Sequence, residues 1–358
     1  MTGVLRVNTD FGLRNARSTF LHRGEALSES LYCYVVERRI RMAKYIVKRI
    51  VTAIPLLFAI TVLCFAMMNL APYDAVDTMI KPGMSDELVA LMRAKYGYDQ
   101  PVYVQYIKWL QGILCGQFGY SIVTGQSISL DLSVRLVNTI KLILPSYLSA
   151  YVLAIVLGLV AGSHKNKWQD KLIDGFASVG ISTPTFWVSM LLLYIFGYKL
   201  RLLPIIGMHT IGQEDSIIDF LRHFVLPYTV LVIAFMPDLI RYVRSSTITQ
   251  FSEDYVMVQK AFGASKAEIM FRHVCKNVLL PVITKLGMAM PMLITGAIIT
   301  ETIFSWPGIG PYFTTAVDGL DYPIVMAILL LSSAMVIIGN LVADILCCLT
   351  DPRIREMG

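Results

Sequence analysis

Apolar residues in this chain gather in long blocks, set apart by short charged segments, rather than alternating at the short period of a water-soluble core. A helix needs roughly 20 mainly apolar residues to cross a hydrocarbon layer about 30 Å thick. Residues 50–68, 142–162, 175–198 and 322–343 meet that length with no Asp, Glu, Lys or Arg. Two further blocks are interrupted by charge: 224–237, extended through Asp238 and Arg241, and 278–300, which contains Lys285. The pattern predicts an all-α membrane protein with six transmembrane helices.

The polar connections carry helix signals of their own. After the first span, Ser85 suits an N-cap, Asp86 and Glu87 suit a first turn, and Leu88, Leu91 and Met92 share a face. Gly97 suits the end of that helix. A second helix follows Pro101, with Tyr103, Ile107, Leu110 and Leu114 at helical spacing. The segment 71–137 therefore reads as a small helical insertion over the outer mouth of the bundle. Within the spans, Ala154, Gly158 and Gly162 form a row of small residues that lets a neighbouring helix approach closely. Pro55, Pro145, Pro184, Pro227, Pro237, Pro281 and Pro291 lie in or beside spans, which suits helices that bend.

The connection 245–277 is more patterned than a plain linker requires. Ser252 reads as an N-cap, Glu253 and Asp254 as first-turn residues, and Tyr255, Val258, Ala261 and Phe262 as one apolar face. Gly263 can take the left-handed conformation that stops a helix. Ser265 and Glu268 form a capping box that opens a second helix running through His273 toward the fifth span. An exposed apolar face on a charged loop serves either a membrane surface or a docking partner, and the pattern alone leaves both open.

Composition supports the membrane reading: 56% of the 358 residues are apolar and 16% charged, against about half and a quarter in ordinary globular chains. The net charge of +6 matters through its distribution. Arg38, Arg39, Arg41, Lys44, Lys48 and Arg49 precede span one, Lys165, Lys167 and Lys171 follow span two, and Arg241, Arg244, Lys260, Lys266, Arg272 and Lys276 join spans four and five. With six spans all three groups fall on one side, and the positive-inside rule puts both termini in the cytoplasm. The bases orient the chain and need no nucleic acid. Of six cysteines only Cys115 falls outside the membrane on the outer side, and no C-x-x-C spacing occurs, so unpaired structural thiols are expected. Residues 1–41 form a polar, basic extension without a signal-peptide core. They read as a cytoplasmic arm, or as sequence upstream of a true start at Met42.

Catalytic chemistry finds little support. There is no G-x-x-x-x-G-K-[ST] phosphate loop, no nucleophile with a matching base, and no metal ligand at the right spacing beside His273. Asp238, Arg241, Lys285 and Asp344 lie at span ends, where snorkelling or an interhelical ion pair competes with a proton relay. Glu301 precedes a helix-breaking run, Ser305 to Gly310, that either shapes the outer mouth of a pathway or merely ends a helix. Trp109, Trp187 and Trp306 fit interfacial anchoring as well as stacking on a substrate. A stand-alone channel or ion-coupled carrier would need charges or carbonyl rings along its own path, and few are present.

The run Asp254, Tyr255, Ala261, Gly263, His273, Asn277, Leu279, Leu280, Pro281 resembles the cytoplasmic signature loop of ABC importer permeases of the peptide, opine and nickel branch. So do Lys44, Tyr45, Ile46, Lys48 and Arg49; Leu70, Ala71 and Pro72; Tyr96, Gly97, Asp99, Gln100 and Pro101; Gln105, Tyr106 and Trp109; and Gly119, Ser121 and Gly125. The run Glu301 to Gly310, then Asp321, Tyr322, Pro323 and the closing Asp351, Pro352, Arg353 extend the likeness over about Met42 to Arg355. Met257, Val258 and Gln259 stand where the general signature has Glu-Ala-Ala. The resemblance implies a first transmembrane helix at 42–70, an external helical insertion at 71–137, a five-helix permease core at 138–349 and a cytoplasmic tail at 350–358. It implies that 245–277 is a coupling loop, with Tyr255, Val258, Ala261, Phe262, Gly263, Ser265 and Glu268 meeting an ATPase, and that Glu301, Trp306, Pro307 and Gly308 lie at the outer gate. The implied partners are a second homologous permease subunit, two cytoplasmic ATPase subunits that bind the ATP and Mg, an extracellular or periplasmic solute-binding protein and the lipid bilayer of the cell membrane. This chain would hold no cofactor or metal and catalyse nothing itself. The implied cargo is an oligopeptide or dipeptide, with nickel or opine-type solutes as the alternative.

Overall fold

The computed structural model describes residues 47–48, 50–70, 76–77, 80, 83–288 and 297–350. Among them the secondary structure is helical, apart from an isolated antiparallel bridge between Tyr120 and Ser127. The N-terminal extension, Pro291 and the closing Asp351, Pro352, Arg353 lie outside the described residues, and the side chain of Asp344 is likewise outside the description.

Helix α1 spans Ile50–Asn69. Then come α2 (Asp86–Tyr96) and α3 (Val102–Leu114) in the insertion, α4 (Ile128–Ser163), α5 (Trp168–Ser182), α6 (Thr185–Leu192) with a π-helical end at Leu193–Lys199, and α7 (Ile217–Phe251). After α8 (Asp254–Ala261), α9 (Lys266–Glu268) passes through a π-helical turn, Ile269–Val274, into α10 (Cys275–Met288). Helices α11 (Ile298–Ile303), α12 (Ile309–Asp318) and α13 (Tyr322–Thr350) complete the described chain.

Four of these helices are long and apolar enough to cross a membrane, or five if α5 and the α6 segment count as one span. The expected continuous third span at 175–198 is instead bent by 98° between Ser182 and Thr185. Pro184 is the reason: it donates no backbone hydrogen bond, and it drives Thr183 into an extended conformation (φ −94°, ψ 121°). The expected span at 278–300 runs partly through residues outside the description.

Helices α4 and α7 form the most extensive pair, and the predicted row of small residues lies between them. A Cβ on Gly158 would sit 2.5 Å from the Val243 Cβ, and one on Gly162 would sit 2.5 Å from the Thr247 Cβ. The same device recurs on α5, where a Cβ on Gly180 would come within 2.5 Å of Pro237. Around this seam Ala150, Ala154, Ala161, Ile173, Ala177, Ile240, Val243, Val256, Ile269, Val274 and Val278 form the main buried cluster. An ion pair fastens α5 to α7: the Arg244 guanidinium grips both carboxylate oxygens of buried Asp170, at 2.5 and 3.0 Å. Charge counting treats Arg244 only as an orienting base, yet its partner 74 residues earlier gives it a second use. Lys285 reaches Asp238 at 3.0 Å and lies over the Tyr242 ring, so these two charges form an interhelical pair between α10 and α7.

The insertion departs from its predicted packing. Ser85 and Gly97 cap α2 as expected, Ser85 by accepting from the Leu88 N–H and Gly97 at φ +78°. Yet Leu88 and Leu91 are exposed, and so are Tyr103, Ile107 and Leu114 on α3. The face of α3 that packs carries Tyr106 and Trp109, whose rings meet Phe58 and Phe65 of α1, with Tyr106 hydrogen-bonded to Thr61 at 2.8 Å. Helix α3 therefore packs on α1 through this face. Both of its faces are apolar, and periodicity alone cannot choose between two such faces.

Candidate functional site

The two regions singled out by sequence lie at opposite ends of the α4–α7 pair. At one end, α8 and α9 form the expected helix, glycine turn, helix. Gly263 takes φ +79°, and a Cβ added there would meet nothing within 4 Å, so glycine is needed for its backbone and not for space. Ser265 accepts a hydrogen bond from the Glu268 N–H at 3.2 Å, the N-cap of the second helix, and the Glu268 carboxylate lies 3.5 Å from Arg272.

Two details differ from expectation. Ser252 does not cap α8: α7 continues through Phe251, and the Ser252 hydroxyl donates back to the Ile248 carbonyl at 3.1 Å. Glu253 occupies the N-cap position, without a side-chain bond. The second difference concerns the apolar face. Val256, unremarked in sequence, is fully buried and seats α8 on the main cluster, with half-buried Tyr255 beside it. Val258, Ala261 and Phe262 point away from the bundle together with Met257, and Phe262 is 85% exposed. Tyr255 thus belongs to the base of the loop and the others to its free surface. Beyond the turn, the Lys266 ammonium donates to the Ser163 carbonyl at 2.5 Å, closing an orphan acceptor at the end of α4. Partly buried His273 stands in the π-helical turn. Among the described residues no group of three His, Cys, Asp or Glu could hold a metal ion.

At the other end, the segment from Glu301 to Gly310 is folded inward. Trp306 is fully buried, its indole donating to the Asn138 carbonyl at 2.9 Å and meeting Phe220 and Phe224. It is neither an interfacial anchor nor a stacking surface. Trp109 is also occupied, against Phe65, while Trp187 is exposed. Asn138 donates to the Pro307 carbonyl at 3.0 Å, and Thr139 accepts from the Ile309 N–H at 2.8 Å. Glu301, also fully buried, accepts from the Gly310 N–H at 2.7 Å, while its other oxygen has no hydrogen-bond partner among the described residues. A Cβ on Gly308 would fall 2.5 Å from the Thr139 hydroxyl and still closer to Glu301. The turn is buckled onto α4 by these bonds, and Asn138 and Thr139, which carry no sequence signal, are its catch.

Replacing Glu301 with Gln keeps an acceptor for Gly310 and should change stability little. Glu301→Ala leaves that N–H buried and unpaired, at a cost of about 1–3 kcal/mol. Thermal unfolding of the purified, detergent-solubilised chain separates the two.

A second latch ties the insertion to this end. Buried Asp321, at the start of α13, accepts from the Ser121 hydroxyl at 2.5 Å and from the Ile122 and Val123 N–H groups. Glycines at positive φ, Gly119 and Gly125, shape the turn that presents them. Arg135 lies over the Tyr312 ring, and burial pushes the Tyr312 phenol up to about 12, so it remains a neutral hydroxyl.

Comparison with known proteins bears on both ends. The sequence profile for the inner membrane component of binding-protein-dependent transport systems matches residues 154–356, and the profile for the N-terminal part of such membrane components matches residues 42–150. The oligopeptide transport system permease protein AppB of Bacillus subtilis is 37% identical over 315 residues, covering 88% of this chain and 100% of AppB. The glutathione transport system permease protein GsiC of Salmonella paratyphi A is 34% identical over 314 residues, covering 88% and 99%. A putative peptide permease of Brucella ovis is 33% identical over 317 residues, with the same coverage.

Proposed function

This chain belongs to the inner membrane components of binding-protein-dependent transport systems, as an ABC importer permease of the peptide branch, and from that premise we propose that it carries peptides inward on energy supplied by separate ATPase subunits. Oligopeptides or dipeptides are the cargo, a reading supported by the names of its relatives. The chain has no nucleotide-binding site of its own and works beside a second, homologous permease subunit. A solute-binding protein delivers peptide to the Glu301 end, and two ATPase subunits, holding ATP and Mg, dock at the α8 end. Both termini lie in the cytoplasm, and residues 245–277 are the coupling loop.

One observation carries this reading: a well-seated loop that presents Met257, Val258, Ala261 and Phe262 outward. Buried Val256 and the capped turns fix the shape of the loop, so the outward apolar residues are held in place for a partner rather than left over from poor packing. The buckled turn at Glu301, Trp306, Pro307 and Gly308 forms part of the outer gate, closed in this conformation by its bonds to α4.

Cysteines at two exposed positions test the arrangement. Phe262→Cys should react with a membrane-impermeant maleimide only from the cytoplasmic side, and should cross-link to an ATPase subunit in the assembled complex. Ile211→Cys, at a 97% exposed position of the opposite end, should react only from outside. Labelling of both from one side, or failure of Phe262→Cys to reach any ATPase subunit, would overturn the proposal.

A further inference from the structure

Three separate elements converge on one oxygen atom at the root of the α8 loop. The side-chain carbonyl of Gln250, in the last turn of α7, accepts from the Tyr255 hydroxyl of α8 at 2.9 Å and from the Asn277 amide of α10 at 3.1 Å. A carbonyl oxygen has two lone pairs, and both are used. All three side chains are half-buried, above the apolar floor made by Val256, Val274 and Val278.

The position matters as much as the bonds. Gln250 and Asn277 stand at the two ends of the segment 251–276, where the chain leaves α7 and enters α10. Tyr255 of α8 and Asn277 of α10 each reach the Gln250 oxygen, and through it the three helices meet. Besides the apolar seat of Val256, α8 is joined to α7 through the short turn at Ser252 and Glu253, and to α10 through the Gly263 turn and the π-helical segment. Such irregular connections bend easily, and this junction is the polar tie that links all three helices.

We propose that Gln250 is a positioning residue for coupling: its amide oxygen locks the base of the loop to α7 and α10 together, so that a push on α8 moves both helices as one body. This inference rests on the reading of α8 as the ATPase-docking helix. The contact surface itself is made by other residues, so the lock can fail while docking survives.

The test is made on the complete transporter in proteoliposomes, with ATP hydrolysis and peptide uptake measured on the same preparation. Gln250→Leu matches the side chain in size and removes the acceptor. It should leave the ATPase subunits bound and hydrolysing, yet lower peptide moved per ATP roughly tenfold, the scale of losing two hydrogen bonds and stranding their donors. Gln250→Glu retains acceptor oxygens and should stay within about threefold of the parent. Tyr255→Phe should lower the ratio less than Gln250→Leu does and add little on top of it, since both remove the same bond. A parental ratio in Gln250→Leu overturns the proposal. So does an equal loss in Gln250→Glu, or release of the ATPase subunits by Gln250→Leu, either of which marks a purely structural role. The underlying docking assignment is judged separately: Phe262→Asp should release the ATPase subunits, and if it does not, that assignment fails whatever Gln250 does.

Discussion

Aspartate at both Val258 and Phe262 should reduce ATP-driven peptide uptake at least about a hundredfold while the chain stays in the membrane at its normal level. The two side chains are 50% and 85% exposed. Surface changes of that kind usually alter the stability of a chain by less than about 0.5 kcal/mol. In a docked complex the same residues become buried apolar anchors, each worth about 2 kcal/mol or more when truncated. Two such losses weaken association about a thousandfold, and a desolvated carboxylate adds to the penalty. Uptake of labelled peptide, set against the amount of chain in the membrane fraction, separates lost docking from lost folding. Normal uptake in the double variant would remove α8 from the coupling path.

A different failure is expected at the seam. Gly158→Ala and Gly162→Ala should each destabilise the bundle by about 1–3 kcal/mol, and the corresponding valine double variant should not accumulate as folded chain. The added Cβ would stand 2.5 Å from a carbon of the facing helix at either position, with the Ile240 carbonyl 3.0 Å and the Arg244 carbonyl 2.9 Å away. These neighbours are backbone and β-branched side chains on a packed helix, so they cannot swing aside. Gly175→Ala is the control. Its Cβ meets nothing within 4 Å, and alanine is the better helix former, so its unfolding temperature should hold or rise. Equal behaviour of all three glycines in thermal unfolding would contradict this account of the α4–α7 pair.

Features governed by local chemistry are legible in the sequence. Ser85, Gly97, Gly263 and Ser265 act where their side chains or backbone freedom predict, because each cap is decided within four residues. The spacing of Ala154, Gly158 and Gly162 also points correctly to a close helix contact. What the sequence hides is pairing at a distance. Nothing near Asp170 names Arg244, and nothing near Asn138 or Thr139 names the turn at Trp306 to Ile309 that they hold. Ser252 illustrates a local competition that pattern alone does not decide: its hydroxyl can begin a helix or satisfy the previous one, and the Ile248 carbonyl wins. The residue Pro184 foreshadows a bend but not its size, since a proline removes a bond and pushes the residue before it out of the helix, while the neighbours decide the angle.

Helix α4 is held at two places, by the Lys266 bond to Ser163 at its end and by the Asn138 and Thr139 bonds to the Trp306 turn within its first half. Between Thr139 and Ser163 it spans about 36 Å at 1.5 Å per residue. The glycine seam lies close to the Ser163 end, which makes it a fulcrum with arms of very unequal length. Taking 1.5 Å per residue again, the arm from Gly158 to Thr139 is about 28 Å and the arm from Gly162 to Ser163 under about 2 Å. A tilt of about 5° about that fulcrum would carry Thr139 some 2.5 Å by the same geometry, nearly the length of one hydrogen bond. Pro145 lies within that arm; if the helix tilts as one piece across it, a small rotation where the chain is tightest would become enough travel, at the catch, to unfasten a buckle.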